Sequence, residues 1–179
     1  MNIKINSKSY NLIKNQSIFD GITDRINAEY RGSTVIVPHV CNNVNAFGAG
    51  FAAAISNHYP DVKANFHMLG NKAKLGITQY VVAKINNKYK HSIIFANMIA
   101  QNKLINTKNS RPLNYAALVY CMNDVNQYIK NLKKQQEIAN IEIHAPKFGC
   151  GLAGGDWRFV SDLIEDLWKD KEVYIYDYK

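Results

Sequence analysis

Cysteine is scarce in this chain. Its three copies, Cys41, Cys121 and Cys150, form no CxxC pair and leave one thiol over in any disulfide scheme. That excludes a disulfide scaffold and suits a reducing compartment, so a cytoplasmic protein is expected. Long apolar runs are also missing. The stretch Ser92–Ala100 is among the longest, and a membrane helix needs about 20 such residues. The first ten residues mix charge and polarity without the apolar stretch of a secretory leader. No repeat, low-complexity tract or Pro/Gly/Ser linker divides the sequence, so residues 1–179 are expected to form one domain. The five histidines show neither HxxxH nor Cys/His zinc spacing, so neither metal nor cofactor is expected.

What the chain does have is core material: 47% hydrophobic and 11% aromatic residues. This excludes a disordered polypeptide. The net charge is +8 and the pI about 9.3, which attracts anions of any kind. In sequence the lysines are scattered, and the one dense run, Lys130–Lys134, reads as a solvated helix end. An RNA-binding module would rest on net charge alone and is not expected; nor is a membrane partner.

Short apolar strands alternate with amphipathic helices, the pattern of a layered α/β fold. Strands are expected within Ile3–Ile13 and over Thr34–Val40, Ile141–Ala145 and Val173–Tyr178. A further pair, Gln79–Ile85 and His91–Ala96, turns at Asn86–Asn87. Helices are expected over Asp24–Tyr30, Phe51–Tyr59, Arg111–Gln136 (with Pro112 in its first turn) and Asp156 to about Lys169.

The same local arrangement occurs twice. The strand ending at Val40 runs into Gly48-Ala49-Gly50 before a helix, and the strand ending at Ala145 runs into Gly149–Gly155 before another. A glycine loop entering a helix start exposes N–H groups that no helix carbonyl satisfies, and the helix dipole adds about half a positive charge. Two such loops at neighbouring strand ends suit a diphosphate between them. A Rossmann site fits poorly despite the GxGxxA match at Gly48–Ala53. About seven residues separate strand from glycine, and no acid stands near position 70. The GKS or GKT ending of a P-loop is missing too.

The segments His39–Asn43, Phe47–Ala52, Ala96–Gln101 and Pro146–Trp157 (PKFGCGLAGGDW) resemble macro domains. The likeness leans toward the branch of ADP-ribose 1''-phosphate phosphatases and terminal ADP-ribose glycohydrolases and extends over roughly Ser17–Tyr178. It implies a three-layer α/β/α domain with a central mixed sheet, whose cleft takes ADP-ribose or ADP-ribose 1''-phosphate, with ADP-ribosylated macromolecules as further partners. By the same resemblance Asp20, with Ile22 beside it and Asp24 as the alternative acid, would meet the adenine, and Tyr176 would stack on it. Asn42 and Asn43 would face the distal ribose. Phe47, Gly48, Ala49, Gly50 and Phe51 would line one side of the diphosphate. Phe148, Gly149, Cys150 and Gly151, continuing through Leu152, Ala153 and Gly154, would line the other.

Where the glycohydrolases carry a lysine and an aspartate, this chain has Met98 and Ala153. The pattern is closer to the phosphatase members, with His39, Asp156 and Asn43 as the catalytic candidates. The expected function is therefore binding and hydrolysis of an ADP-ribose derivative. A non-catalytic reader and a de-ADP-ribosylating hydrolase are the alternatives.

Overall fold

The structure is a computed structural model that describes residues 8–29, 32–135 and 140–177. In chain order it contains β1 (Asn11–Lys14), α1 (Ile18–Asn27), β2 (Ser33–Asn42), α2 (Gly50–His58), α3 (Pro60–Met68) and a 3-10 turn (Gly70–Lys72). Then follow β3 (Thr78–Asn86), β4 (His91–Gln101), α4 (Tyr115–Gln135), β5 (Asn140–Pro146), α5 (Trp157–Trp168) and β6 (Glu172–Asp177).

The six strands form one mixed sheet in the order β1-β6-β5-β2-β4-β3. All neighbours are parallel except β3, which runs antiparallel to β4 at one edge. Helices cover both faces, which makes the fold the expected three-layer α/β/α. Strand alternation sorts the core. Ile36, Met98, Ile143 and Ile175 pack with α4 and α5 around Leu118, Val125, Ile164 and Trp168. Val37, Phe95 and Ile99 pack on the opposite face with Ile22, Ile55, Val62 and Phe66 of α1 to α3. Because β2 and β4 are covered on both faces, they read as nearly continuous apolar runs.

Strand β4 runs on past the expected Ala96 to Gln101, and the helices differ from expectation for local reasons. Helix α1 starts at Ile18, because Ser17 Oγ accepts the Phe19 N–H at 3.2 Å and Ile18, Ile22 and Ile26 share its buried face. It ends at Asn27, and Tyr30 lies outside the described residues. Helix α3 was not expected; Pro60 opens it, and Val62 and Phe66, four residues apart, bury its inner face. Helix α4 begins at Tyr115 rather than Arg111. Asn114 Oδ1 accepts the Ala117 N–H at 2.9 Å, while Pro112 and Leu113 bond to Asn102 and Ala153 in extended form. The first strand covers Asn11–Lys14, and the rest of its expected range up to residue 7 is outside the described residues.

Candidate functional site

At the C-terminal ends of β2, β4 and β5 lies a cavity of about 790 Å³. Each of its walls follows from how a loop is held. Leaving β2, Asn42 is buried, and its Oδ1 accepts the Val44 and Ala46 N–H groups at 3.1 and 3.0 Å while Nδ2 donates to Ala46 O at 2.7 Å. Its amide is thus spent on folding the loop. Asn43 clasps the loop after β4: Nδ2 donates to Asn102 Oδ1 at 3.1 Å, and Oδ1 accepts the Lys103 N–H at 2.7 Å. Asn42 borders the cavity, whereas Asn43 stands behind its wall.

Helix α2 then begins at Gly50, whose φ is +55°. Ala49, the residue before it, has no side-chain oxygen to cap the helix. The first-turn N–H groups of Gly50, Phe51 and Ala52 therefore keep their donor capacity where those residues line the cavity. The second helix start behaves differently. Asp156 Oδ1 accepts the Arg158 N–H at 2.9 Å, so a carboxylate already closes the N-terminus of α5. The second loop consequently lines the cavity with Phe148, Gly149, Gly151, Leu152 and Ala153 and not with its helix. Its shape is set internally, by Gly154 N to Gly151 O at 2.9 Å and Gly155 N to Gly149 O at 2.8 Å. Leu152 reaches across the gap, with Cδ1 3.4 Å from where a Cβ on Gly50 would stand.

Below the loops lies His39, 2% exposed. Its Nε2 is 2.6 Å from Asn97 Oδ1, and Asn97 Nδ2 donates to Gln79 Oε1 at 2.9 Å. Since the Asn97 amine faces Gln79, its oxygen faces the imidazole, and His39 Nε2 carries the proton. Burial pulls His39 down to about 4, against the opposing effect of the Asn97 bond, so the ring is neutral at pH 7. Burial likewise pushes the thiol of Cys41, which also borders the cavity, well above its ordinary range. The remaining titratable group in the wall is Lys147, whose Nζ is 2.6 Å from Asp177. Among the described residues, no carboxylate lines the cavity.

Several anticipated residues stand elsewhere. Asp20 and Asp24 are exposed on α1, outside the cavity wall, and Ile22 is in the core beneath that helix. Tyr176 is buried; its hydroxyl is 2.9 Å from His144 Nδ1 and lies directly against Gly21 of α1. Beyond His144 the chain of contacts continues to Glu142 and then Arg25, each step 2.8 Å. Cys150 turns its thiol to Phe148 O at 3.4 Å, Gly154 backs onto Ser110, and Asp156 is exposed and paired with Arg158. Sequence reading passed over Gln101, Leu104, Ile105 and Lys147, all of which line the cavity. An apolar Leu104-Ile105 pair inside an otherwise polar loop was the available signal for two of them. Among the described residues, no group of three or more His, Cys, Asp or Glu is placed to hold a metal ion, and no helix is long and apolar enough to cross a membrane.

A mixed sheet between two helical layers, with a strand-end cavity walled by two glycine loops, defines an α/β/α domain with an open cleft at one end of its sheet. No family model matches the chain. Solved structures do. A macrodomain protein from Streptomyces coelicolor is 25% identical and superposes with a TM-score of 0.62, covering 84% of this chain and 100% of that one. A protein of unknown function from Bacteroides thetaiotaomicron is 25% identical with a TM-score of 0.70, over 96% of this chain and 99% of that one. DarTG of Thermosipho africanus, solved in complex with ADP-ribose, shares the fold at 20% identity and a TM-score of 0.65, over 94% of this chain and 42% of that one. Among curated proteins, an ADP-ribose 1''-phosphate phosphatase of Lodderomyces elongisporus is 20% identical over 82% of this chain and 89% of its own length. An uncharacterised 17.5 kDa protein of phage T4 is 23% identical over 80% and 86%. In fold, and at 25% identity in sequence, the chain is similar to macrodomains.

Proposed function

We propose that the cleft binds ADP-ribose or a derivative of it, with the diphosphate held between the uncapped start of α2 and the Gly149–Ala153 loop. The observation that carries this reading is the convergence of open backbone donors from Gly50–Ala52, glycine faces at Gly48 and Gly151 with nothing within 4 Å, and Lys147, the one cation among the described lining residues. Backbone donors at a helix start favour an anion, and missing side chains let it approach closely. The ADP-ribose complex of the Thermosipho protein and the phosphatase name of the Lodderomyces protein support the choice of ligand.

Hydrolysis of ADP-ribose 1''-phosphate is the second reading, favoured by His39 in the cavity wall. With Nε2 donating to Asn97, Nδ1 carries the lone pair, and the Cys41 thiol stands 3.7 Å from it, so at neutral pH the ring offers a ligand only a basic nitrogen that already has a neighbour. A base drawn down to about 4 is weak, and Asp156 faces away with Arg158. Binding is therefore the stronger of the two readings. A de-ADP-ribosylating activity on macromolecules would use the same cleft with its distal end open.

A phosphorus NMR time course with ADP-ribose 1''-phosphate and equimolar protein separates them. Shifted or broadened diphosphate resonances without new phosphate are expected. Growth of inorganic phosphate would establish the phosphatase, and unchanged spectra would remove the cleft reading altogether.

A further inference from the structure

A second cavity, of about 300 Å³, lies where the loop leaving β4 meets the start of α4. It shares no lining residue with the cleft. Leu113 stands between the two. It lines the second cavity, its N–H donates to Ala153 O at 2.9 Å, and its side chain comes within 3.0 Å of where a Cβ on Gly149 would stand. Gly149 and Ala153 belong to the cleft wall. The rest of the second cavity is largely polar, with Asn102, Asn109, Arg111, Asn114 and Tyr115 in its lining.

The orientation of each amide traces back to a backbone group. The Lys103 N–H fixes Asn43 Oδ1, so Asn43 Nδ2 faces Asn102 Oδ1 at 3.1 Å and Asn102 Nδ2 is left without an acceptor among the described residues. Asn114 Oδ1 accepts the Ala117 N–H at 2.9 Å, which closes the start of α4 and leaves Asn114 Nδ2 unspent. Asn109 is turned the other way, its Nδ2 donating to Asn102 O at 3.0 Å and Leu104 O at 3.1 Å, so its oxygen is the unspent atom. Arg111 is held by two contacts. Its Nη1 donates to Leu113 O at 2.7 Å, and its guanidinium carbon lies 4.8 Å from the centre of the Tyr115 ring. Nε and Nη2 keep their donors, and no carboxylate pairs with Arg111 or lines the cavity among the described residues. Asp156 comes close, its N–H donating to Tyr115 Oη at 2.9 Å, but its carboxylate is taken by Arg158 at 3.1 Å.

We infer that this cavity is a second anion site, which binds the phosphoryl group of free phosphate or of a small phosphate monoester. The cation is Arg111, and unspent amide donors reach the cavity wall from two further segments, the exit of β4 and the cap of α4. A guanidinium fork takes carboxylate or phosphate. Donors from several directions favour phosphate, whose three oxygens do not lie in one plane with a single carbon. The volume is at the low end for small-molecule sites and equals about ten waters, so a phosphoryl group with a short organic tail fits. Asn109 Oδ1 is the acceptor left for a hydroxyl on that tail. Arg111 is exposed, which gives the ligand a way in from solvent. The site is independent of what the cleft binds.

The test is nitrogen-15 NMR of the full chain, titrated at constant ionic strength with inorganic phosphate, glycerol 3-phosphate or acetate. The Arg111 Nε–H signal and the side-chain amide pairs of Asn102 and Asn114 are expected to shift and to saturate with a Kd of about 1 mM. Tighter binding of glycerol 3-phosphate would identify an ester as the source and equal binding free phosphate; either result supports the site. Arg111→Gln weakens binding about tenfold, and Arg111→Lys, which keeps the charge without the fork, about threefold or more. Asn114→Ser keeps an oxygen to cap α4 and removes the amine, so binding falls about threefold while the melting temperature holds. Lys63→Gln, the same loss of charge on α3 across the sheet, leaves binding within about twofold. Equal losses for Arg111→Gln and Lys63→Gln would reduce the effect to net charge and overturn the site. Acetate binding as tightly as phosphate, or shifts that climb without saturating, would overturn it too. Shifts confined to the Gly50–Ala52 amides would place the phosphate in the cleft and sink the second site while leaving the first in place.

Discussion

His39 and Asn97 stand opposite each other on the neighbouring parallel strands β2 and β4, and their side chains meet at 2.6 Å in the floor of the cavity. The contact fixes the tautomer and, with burial, the charge of the ring in the cavity floor. Because the folded pKa of about 4 lies below the ordinary 6.5, the unfolded chain binds the extra proton first as pH falls. The stability that comes from keeping His39 neutral is complete above about 6.5 and is lost as pH falls toward 4. The shift corresponds to about 3 kcal/mol. His144 is drawn down too, first by burial, so the useful quantity is the difference between wild type and His39→Gln in urea melts from pH 7 to 4.5. Wild type loses more stability over that range. Parallel curves would mean that His39 is not held neutral.

Asn97→Asp puts a carboxylate where the amide oxygen stands. A negative charge within hydrogen-bond reach raises the His39 pKa, so ring proton shifts that move near pH 4 in wild type move at higher pH in the variant. If the cleft hydrolyses its ligand through His39, the pH profile of turnover moves with the ring. If the cleft only binds, affinity at pH 7 changes while no product forms in either protein.

The two glycine loops separate fold from ligand. Gly154 has φ +68°, and a Cβ there would sit 2.6 Å from Ser110 O. Gly154→Ala therefore destabilises by about 1–3 kcal/mol in chemical denaturation. Gly48 has no such constraint, since nothing lies within 4 Å of its missing Cβ and its φ is not in the left-handed region. Gly48→Val leaves stability within about 0.5 kcal/mol and weakens ADP-ribose binding in calorimetry. Undiminished affinity would take the first loop out of the ligand site.

Much of this was legible beforehand. The layered fold followed from alternating apolar periods, and both glycine loops lie where their strand-to-helix spacing put them. The Asp156 helix start was legible too, because Asp before Trp157 is a helix-capping signal as well as a catalytic candidate; the structure uses the carboxylate as a cap. What sequence could not supply was contact between distant segments. Asn97 meets His39 only through the β2–β4 pairing, and Asn43 reaches Asn102 across 59 positions. The Leu104-Ile105 wall has no periodicity to announce it, and α3 was hidden because an opening proline reads as readily as a turn.

Lys147 is the cation whose loss tests the anion site most directly. Asp177 holds its ammonium at 2.6 Å, and both side chains are about one-third exposed, so the pair is positioned at the mouth without being desolvated. An exposed pair of this kind adds little to stability. A diphosphate arriving in the cleft brings a second partner for the ammonium, and the strength of that contact depends on salt. Lys147→Met keeps an unbranched side chain at this lining residue and removes the charge. ADP-ribose affinity is expected to fall about fivefold to tenfold at 50 mM salt and by less at 500 mM, while the melting temperature stays within a few degrees. An equal loss at both salt concentrations would assign the effect to packing and not to charge. No loss at either would show that the backbone donors of Gly50–Ala52 carry the diphosphate without help from Lys147.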